Sequence, residues 1–210
     1  MTRSIFSAIA LAACGISLAA PTATEVRELG AFDEVVWEAA GELSVEQSQR
    51  ERLSIEAEPA VLAKIVAEVR ERRLRIGFAP GSIQTRHPIR FRLETRELAA
   101  LELRGSGSVR IAQLSTPKLL LALKGSGNIQ VAALQARSLE VRLTGAGNVA
   151  IDGGQVRDAQ VSIGGSGQVR VAASERLIVG IAGSGELLYR GSPQIAQSIT
   201  GAGSIRPANE

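Results

Sequence analysis

Leu121-Ala-Leu-Lys-Gly-Ser-Gly-Asn-Ile-Gln-Val131 decides the fold, because the chain repeats it. Aligned on the two glycines, the pattern returns in Leu101–Ile111, Val141–Ile151, Val161–Val171 and Val179–Tyr189, and in shortened form in Ser198–Ile205. The leading glycines are Gly105, Gly125, Gly145, Gly165, Gly183 and Gly201, so successive units are offset by 20, 20, 20, 18 and 18 residues. Each is followed, one residue on, by a second glycine: Gly107, Gly127, Gly147, Gly167, Gly185 and Gly203. A fixed period of this size marks a stack of small structural units.

Apolar residues alternate on both sides of each Gly-x-Gly. Before it stand pairs such as Leu101/Leu103, Leu121/Leu123 and Val161/Ile163; after it stand Val109/Ile111, Ile129/Val131 and Val169/Val171. Alternation with period two means strands with one buried face. The intervening positions carry Arg104, Lys124, Thr144, Arg110, Gln130 and Arg170, as a solvated face requires. The residue between the glycines is always Ser or Ala. Glycine at a bend supplies φ > 0 and lets a neighbouring backbone approach closely, so these twelve glycines are expected as structural corners lying one on another. A single unit cannot bury enough aliphatic surface to offset the backbone entropy of ordering it; stacking makes each unit the next one's partner. The expected fold is all-β: a right-handed parallel β-helix-like solenoid of about six Gly-x-Gly coils over residues 101–206.

Residues 32–100 have a different texture and are expected to form an N-terminal β-rich cap, continuous with the solenoid, that covers its first apolar layer. Strands are read at Phe32–Trp37, Glu42–Val45, Arg52–Ala57, Arg72–Ile76 and Ile89–Leu93, with a loop from Gly77 to Pro88. Pro59 at a first helical turn points to one short helix over Ala60–Ala67. Trp37 is expected in the core or the cap. His87, the chain's one histidine, has no cysteine or second histidine to join it in a metal site and is expected in a solvated loop.

The chain's start carries an address. Arg3 lies in a short positive region, an apolar run extends from Ile5 to about Ala20, and Pro21 ends it: a signal peptide, residues 1–19, too short to serve as a membrane anchor. Residues 20–31 then read as a linker. Leu11-Ala-Ala-Cys14 is similar to a lipobox, which would make Cys14 a lipidated N-terminus and the protein an outer-membrane lipoprotein. The short apolar run before Cys14 favours ordinary cleavage after Ala19, with Ala23 as an alternative site, and release to the periplasm or cell surface. With a single cysteine there is no disulfide to support the fold. The formal charge of +3 is mild, basic residues are dispersed and aromatics make up only 3%, which argues against a nucleic-acid partner.

Beyond the repeat itself, Phe32-Asp-Glu-Val35, Leu74-Arg-Ile76, the Gly-Ser-Gly ladder and Leu187-Leu-Tyr-Arg-Gly-Ser-Pro193 leading into Ile199-Thr-Gly-Ala-Gly-Ser-Ile205 complete a signature. Over residues 32–206 it resembles the bacterial family called putative auto-transporter adhesin, head GIN domain. The resemblance implies an exported β-helical domain of the cell envelope and brings no catalytic or ligand residues with it. Ala146 and Ala202 stand where the ladder usually has Ser, which weakens any requirement for a row of hydroxyls.

Three functions are open to such a chain: a module that binds a glycan or another envelope polymer, an envelope scaffold without a ligand, and a polysaccharide-cleaving enzyme. Sugar cleavage wants two converging carboxylates. One coil away from Glu102 stands Ala122, from Glu140 Gln160, from Asp152 Ala172, and below Glu186 Gln168, so no acidic pair stacks. Gly-x-Gly here lacks the third glycine and following helix of a dinucleotide loop. It also lacks the aspartates by which glycine-rich β-rolls hold Ca²⁺. No catalytic residue, cofactor or metal is therefore expected. Arg104, Lys124, Arg110 and Arg170 could meet an anionic polymer, but a merely soluble face is the better reading.

Overall fold

Parallel pairing joins each corner to the next. In the computed structural model, which describes residues 22–208, the ladder runs in register through Gly105, Gly125, Gly145, Gly165, Gly183 and Gly201. Strands make up 68% of the described residues, with a solenoid of about five turns. The count is lower than the six coils expected, because six corners bound five intervals.

The strands of the first half are β1 (Ala23–Glu28), β2 (Glu34–Trp37), β3 (Glu42–Gln47), β4 (Arg52–Ala57), β5 (Ile65–Arg70), β6 (Arg73–Phe78), β7 (Arg90–Thr95) and β8 (Ala100–Gly105). A single helical turn, α1 (Pro59–Leu62), lies between β4 and β5. The repeat supplies β9 (Ser108–Gly125), β10 (Asn128–Gly145), β11 (Asn148–Ile151), β12 (Gly154–Gly165), β13 (Gln168–Ala172), β14 (Arg176–Gly183), β15 (Glu186–Arg190), β16 (Gln194–Gly201) and β17 (Ser204–Pro207). No helix among the described residues is long and apolar enough to cross a membrane.

Each full coil has three sides. The β9–β10 ladder skips Ala112 opposite Ala132 and Pro117 opposite Arg137, so the chain bends there as well as at the glycines. Val109 and Ile111 point inward from the first side, Leu114 from the second, and Leu119, Leu121 and Leu123 from the third; all are buried. In-register pairing places like on like. Leu123 meets Leu143, Leu143 meets Ile163, and Ile163 meets Ile181, so a column of branched aliphatics runs up the axis without an aromatic. The second side escaped the sequence reading because one inward residue per coil makes no alternation.

The two glycines of a corner serve different ends. Gly125 and its counterparts have φ between +111° and +136°, a region closed to L side chains. Gly127 needs no positive φ; a Cβ there would stand 2.5 Å from the Gly107 carbonyl oxygen and 2.6 Å from Leu103 Cδ2. Amides from the corner sew the layers together: Ser126 N–H donates to the Gly105 carbonyl at 3.1 Å and Asn128 N–H to the Gly107 carbonyl at 3.1 Å.

The first half does more than cover an end. β2 pairs in parallel with β8, and β3 with β9, so residues 34–47 are themselves a layer of the stack. Its corner is Ala39-Ala40-Gly41, equal in length to Gly105-Ser106-Gly107: Trp37 faces Leu103 and Glu42 faces Ser108. The positive φ has moved to Gly41, at +116°, and a Cβ on Gly105 would meet nothing within 4 Å. Below this layer lies another, made of β6 and β7, although it comes later in the chain. β5 and β4 then close it by antiparallel pairing, and β1 pairs antiparallel with β4. Gln47 finishes the second side: its side-chain amide accepts from Ser115 N–H at 2.8 Å and donates to the Ser115 carbonyl at 3.1 Å, as a strand would.

Two expectations are corrected. The linker read at 20–31 contains β1, whose Val26 and Arg27 fall opposite Ser54 and Leu53 of β4. The helix read over Ala60–Ala67 is only the turn Pro59–Leu62; Ile65-Val-Ala-Glu-Val-Arg70 becomes β5. Val61, Leu62, Ile65 and Val69 fit helical spacing, but β-branched residues and a partner in β6 favour the strand. Trp37 is fully buried and packs edge-on against Phe91, ring centres 4.7 Å apart. The signal peptide, its cleavage site and Cys14 lie outside the described residues.

Candidate functional site

The glycines of the Gly-x-Gly corners stack on one another along a single ridge. Ser106, Ser126, Ala146, Ser166, Ser184 and Ala202 form its exposed crest. The backbone amides of Ser126, Ala146, Ser166 and Ser184 donate to the layer below. Just past the crest runs a second row: Ser108, Asn128, Asn148, Gln168, Glu186 and Ser204. Asn148 Nδ2 donates to Asn128 Oδ1 at 3.0 Å, and Gln168 Nε2 to Glu186 Oε2 at 2.8 Å. Asn128 and Asn148 are exposed, so each amide keeps capacity for a further hydrogen bond. Layers repeat at about 4.8 Å, the distance between hydrogen-bonded strands. In the sequence the amides show only as the recurrence of Asn128 and Asn148 at the same offset from their glycines.

The third side carries charge at its N-terminal end. Arg104 Nη1 meets Glu38 Oε1 at 2.7 Å and its Nε meets Glu102 Oε1 at 2.9 Å; Lys124 Nζ reaches the same Glu102 oxygen at 2.8 Å. Arg75 adds a 2.7 Å contact to Glu38. The Arg104 guanidinium beside Glu102, helped by Lys124, holds that carboxyl at about 2 against an ordinary 4.5. Burial pushes Glu38 up, but Arg75 and Arg104 outweigh it and keep it below the usual range. Asp158 is likewise held down by Arg176. These carboxyls are kept ionised, the reverse of what a general acid needs.

The four cations singled out in the sequence are all paired. Besides Arg104 and Lys124, Arg110 meets Glu42, and Arg170 approaches Asp152 at 3.7 Å. A paired cation offers an anionic polymer little field, so these residues form a self-compensated surface. Glu38 and Glu42 are missing from the sequence account because they belong to the Ala39-Ala40-Gly41 layer. His87 sits in the loop after β6, where its backbone N–H and that of Arg86 donate to Glu58, at 3.2 and 2.7 Å. Among the described residues no three His, Cys, Asp or Glu side chains gather as a metal site.

Glu102 gives a pH prediction. Its folded pKa lies below its unfolded one, so its contribution is complete above about 4.5 and is lost as pH falls towards 2. Glu102→Gln should lower stability at neutral pH by about 1 kcal/mol, since the cluster is partly exposed. Denaturant melts from pH 7 to 3 should show wild type and variant converging on the acid side.

Comparison with known proteins agrees with this architecture. The family model Putative auto-transporter adhesin, head GIN domain matches residues 31–206. A crystal structure of a "putative adhesin" from Bacteroides fragilis is similar with a TM-score of 0.76 and 24% identity, over 89% of this chain and 97% of that one. Another "putative adhesin", from Parabacteroides merdae, gives 0.61 and 16% over 90% and 96%. A "putative lipid binding protein" from Parabacteroides distasonis gives 0.57 and 24% over 90% and 97%. At such identities the likenesses speak to fold alone. No curated protein matches the chain. The match to the family model spans nearly all of the described stack, and the chain belongs to the family of the auto-transporter adhesin head GIN domain.

Proposed function

We propose that the protein is an exported, non-catalytic module of the cell envelope that binds a glycan or another envelope polymer along its corner ridge. One observation carries the reading: exposed hydroxyls and amides recur in register along a straight row, with Asn128 and Asn148 already sharing a hydrogen bond. A polymer that presents hydroxyl or amide groups at regular intervals can engage such a row at many points, and weak contacts then add by multivalency. The ionised, arginine-held carboxylates support binding over turnover. The N-terminal address, with Pro21 ending an apolar run, supports export to the periplasm or cell surface.

Fractionation followed by sequencing of the mature N-terminus should give a chain beginning after Ala19. A lipid-modified Cys14 would select the lipoprotein branch, and a cytoplasmic protein that keeps Met1 would refute export. For the ridge, the double variant Asn128→Ala/Asn148→Ala should retain its fold and bind purified cell-wall sacculi and surface polysaccharide several-fold more weakly. Equal binding by both proteins would remove the ridge from the account, and no binding by the wild type would favour a scaffold.

A further inference from the structure

The two ends of the stack are finished differently. At the N-terminal end the outer strands are β1 and β5, and they carry Glu25, Arg27, Glu28, Glu68 and Arg70. Charges on an edge strand oppose its pairing with another chain. At the other end, β16 pairs with β14 alone and β17 with β15 alone, so each keeps one open edge among the described residues. β16, Gln194-Ile-Ala-Gln-Ser-Ile-Thr-Gly201, is exposed throughout and has neither a charge nor a proline. Ile195 and Ile199 continue the inward columns of Leu177 and Ile181, yet stand 40% and 39% exposed. Such an edge carries neither the charges nor the proline that commonly protect one.

Its sequence also indicates what it fits. Ile195-Ala196-Gln197-Ser198-Ile199 reads nearly the same in both directions, with isoleucine outermost, small residues next and Gln197 at the centre. Antiparallel pairing of two such strands about a two-fold axis through Gln197 sets Ile195 against Ile199 of the other copy, and Ala196 against Ser198. Moving the axis to a neighbouring residue sets one isoleucine against Gln197 and the other against Pro193 or Gly201, and moving it between residues turns inward side chains outward. We propose that a second copy of this chain docks here: β16 pairs with its equivalent, antiparallel and centred on Gln197, so that the third side runs unbroken through a two-fold dimer and the terminal isoleucines are covered.

Residues that face each other across an antiparallel pair stand about 4.5–5.5 Å apart at Cα, within disulfide reach. On a Cys14→Ser background of the exported chain, Gln197→Cys should therefore form a disulfide dimer under mild oxidation. Ile195→Cys should not, since about four residues of strand, roughly 13 Å, separate its two copies. A mixture of Ile195→Cys and Ile199→Cys should form the mixed dimer. Sedimentation of the parent protein should show a monomer–dimer equilibrium that Ile199→Lys weakens at least tenfold without altering the circular dichroism. A monomer at all concentrations would overturn the proposal. So would a dimer that Ile199→Lys leaves intact, equal cross-linking of Gln197→Cys and Ile195→Cys, or higher-order polymers.

Discussion

Gly127→Val should leave no stably folded protein, or one weakened by more than about 4 kcal/mol, while Ser126→Ala should stay within about 0.5 kcal/mol of wild type. The contrast follows from what each residue meets. Ser126 is on the exposed crest, and its structural contribution is a backbone N–H that alanine keeps. Gly127 is buried, and any Cβ would come within 2.5 Å of the Gly107 carbonyl oxygen. That oxygen cannot retreat, because it accepts from Asn128 N–H in the same ladder. The same Cβ would stand 2.6 Å from Leu103 Cδ2, and the branched side chain of valine adds bulk to an already closed site. The leading glycines offer a finer test. Gly125→Ala combines a forbidden φ of +129° with a collision against the Gly105 backbone, whereas Gly105→Ala, at +111°, has open space beneath it. Gly105→Ala should thus cost only the strain of its φ, about 1–3 kcal/mol, and Gly125→Ala distinctly more. Chemical denaturation of the four variants would rank them; equal values for Gly105→Ala and Gly125→Ala would contradict the stacking of the corners.

Trp37→Ala should be the other severe substitution, at about 3–5 kcal/mol. The indole is fully buried where the Ala39-Ala40-Gly41 layer meets the first Gly-x-Gly layer. It packs on Phe91, and its Nε1 lies 2.5 Å from where a Gly107 Cβ would stand. Its stacked partners in the layers on either side, Leu103 and Ile76, are aliphatic and much smaller than an indole, so they leave most of the cavity unfilled. Trp37→Phe should be much milder, because the indole N–H has no hydrogen-bond partner to lose. Thermal melts of the two variants would check both statements, and a Trp37→Phe as damaging as Trp37→Ala would argue against the packing described.

How much of this was legible in the sequence follows from where steric demands are absolute. From Gly125 onward each corner leaves no room for a side chain at two positions, so the spacing of the glycines carries the register, down to the shortening from 20 to 18 residues. The second side of the coil makes a weaker demand, one inward residue such as Leu114, and left no pattern. The Ala39-Ala40-Gly41 corner was hidden because its first residue needs no positive φ and so no glycine. With that layer unseen, the Glu38–Arg104–Glu102–Lys124 cluster could not be assembled, for Glu38 stands 66 positions from Arg104. The reversed order of the β6–β7 layer beneath β2–β3 is a matter of long-range pairing, on which local periodicity is silent.

The central claim is that the ridge acts through many weak, equivalent contacts and carries no single deep site. Its most direct test is the binding of the mature chain to cell-wall sacculi and surface polysaccharide, measured once with the free protein and once with the same protein clustered on beads, with and without chelator. The account predicts weak binding by the free chain, at least tenfold stronger apparent binding when clustered, no effect of the chelator, and no release of sugar. Tight one-to-one saturation by the free chain, unchanged on clustering, or turnover that disappears on replacing one acid such as Asp152 or Asp158, would contradict it.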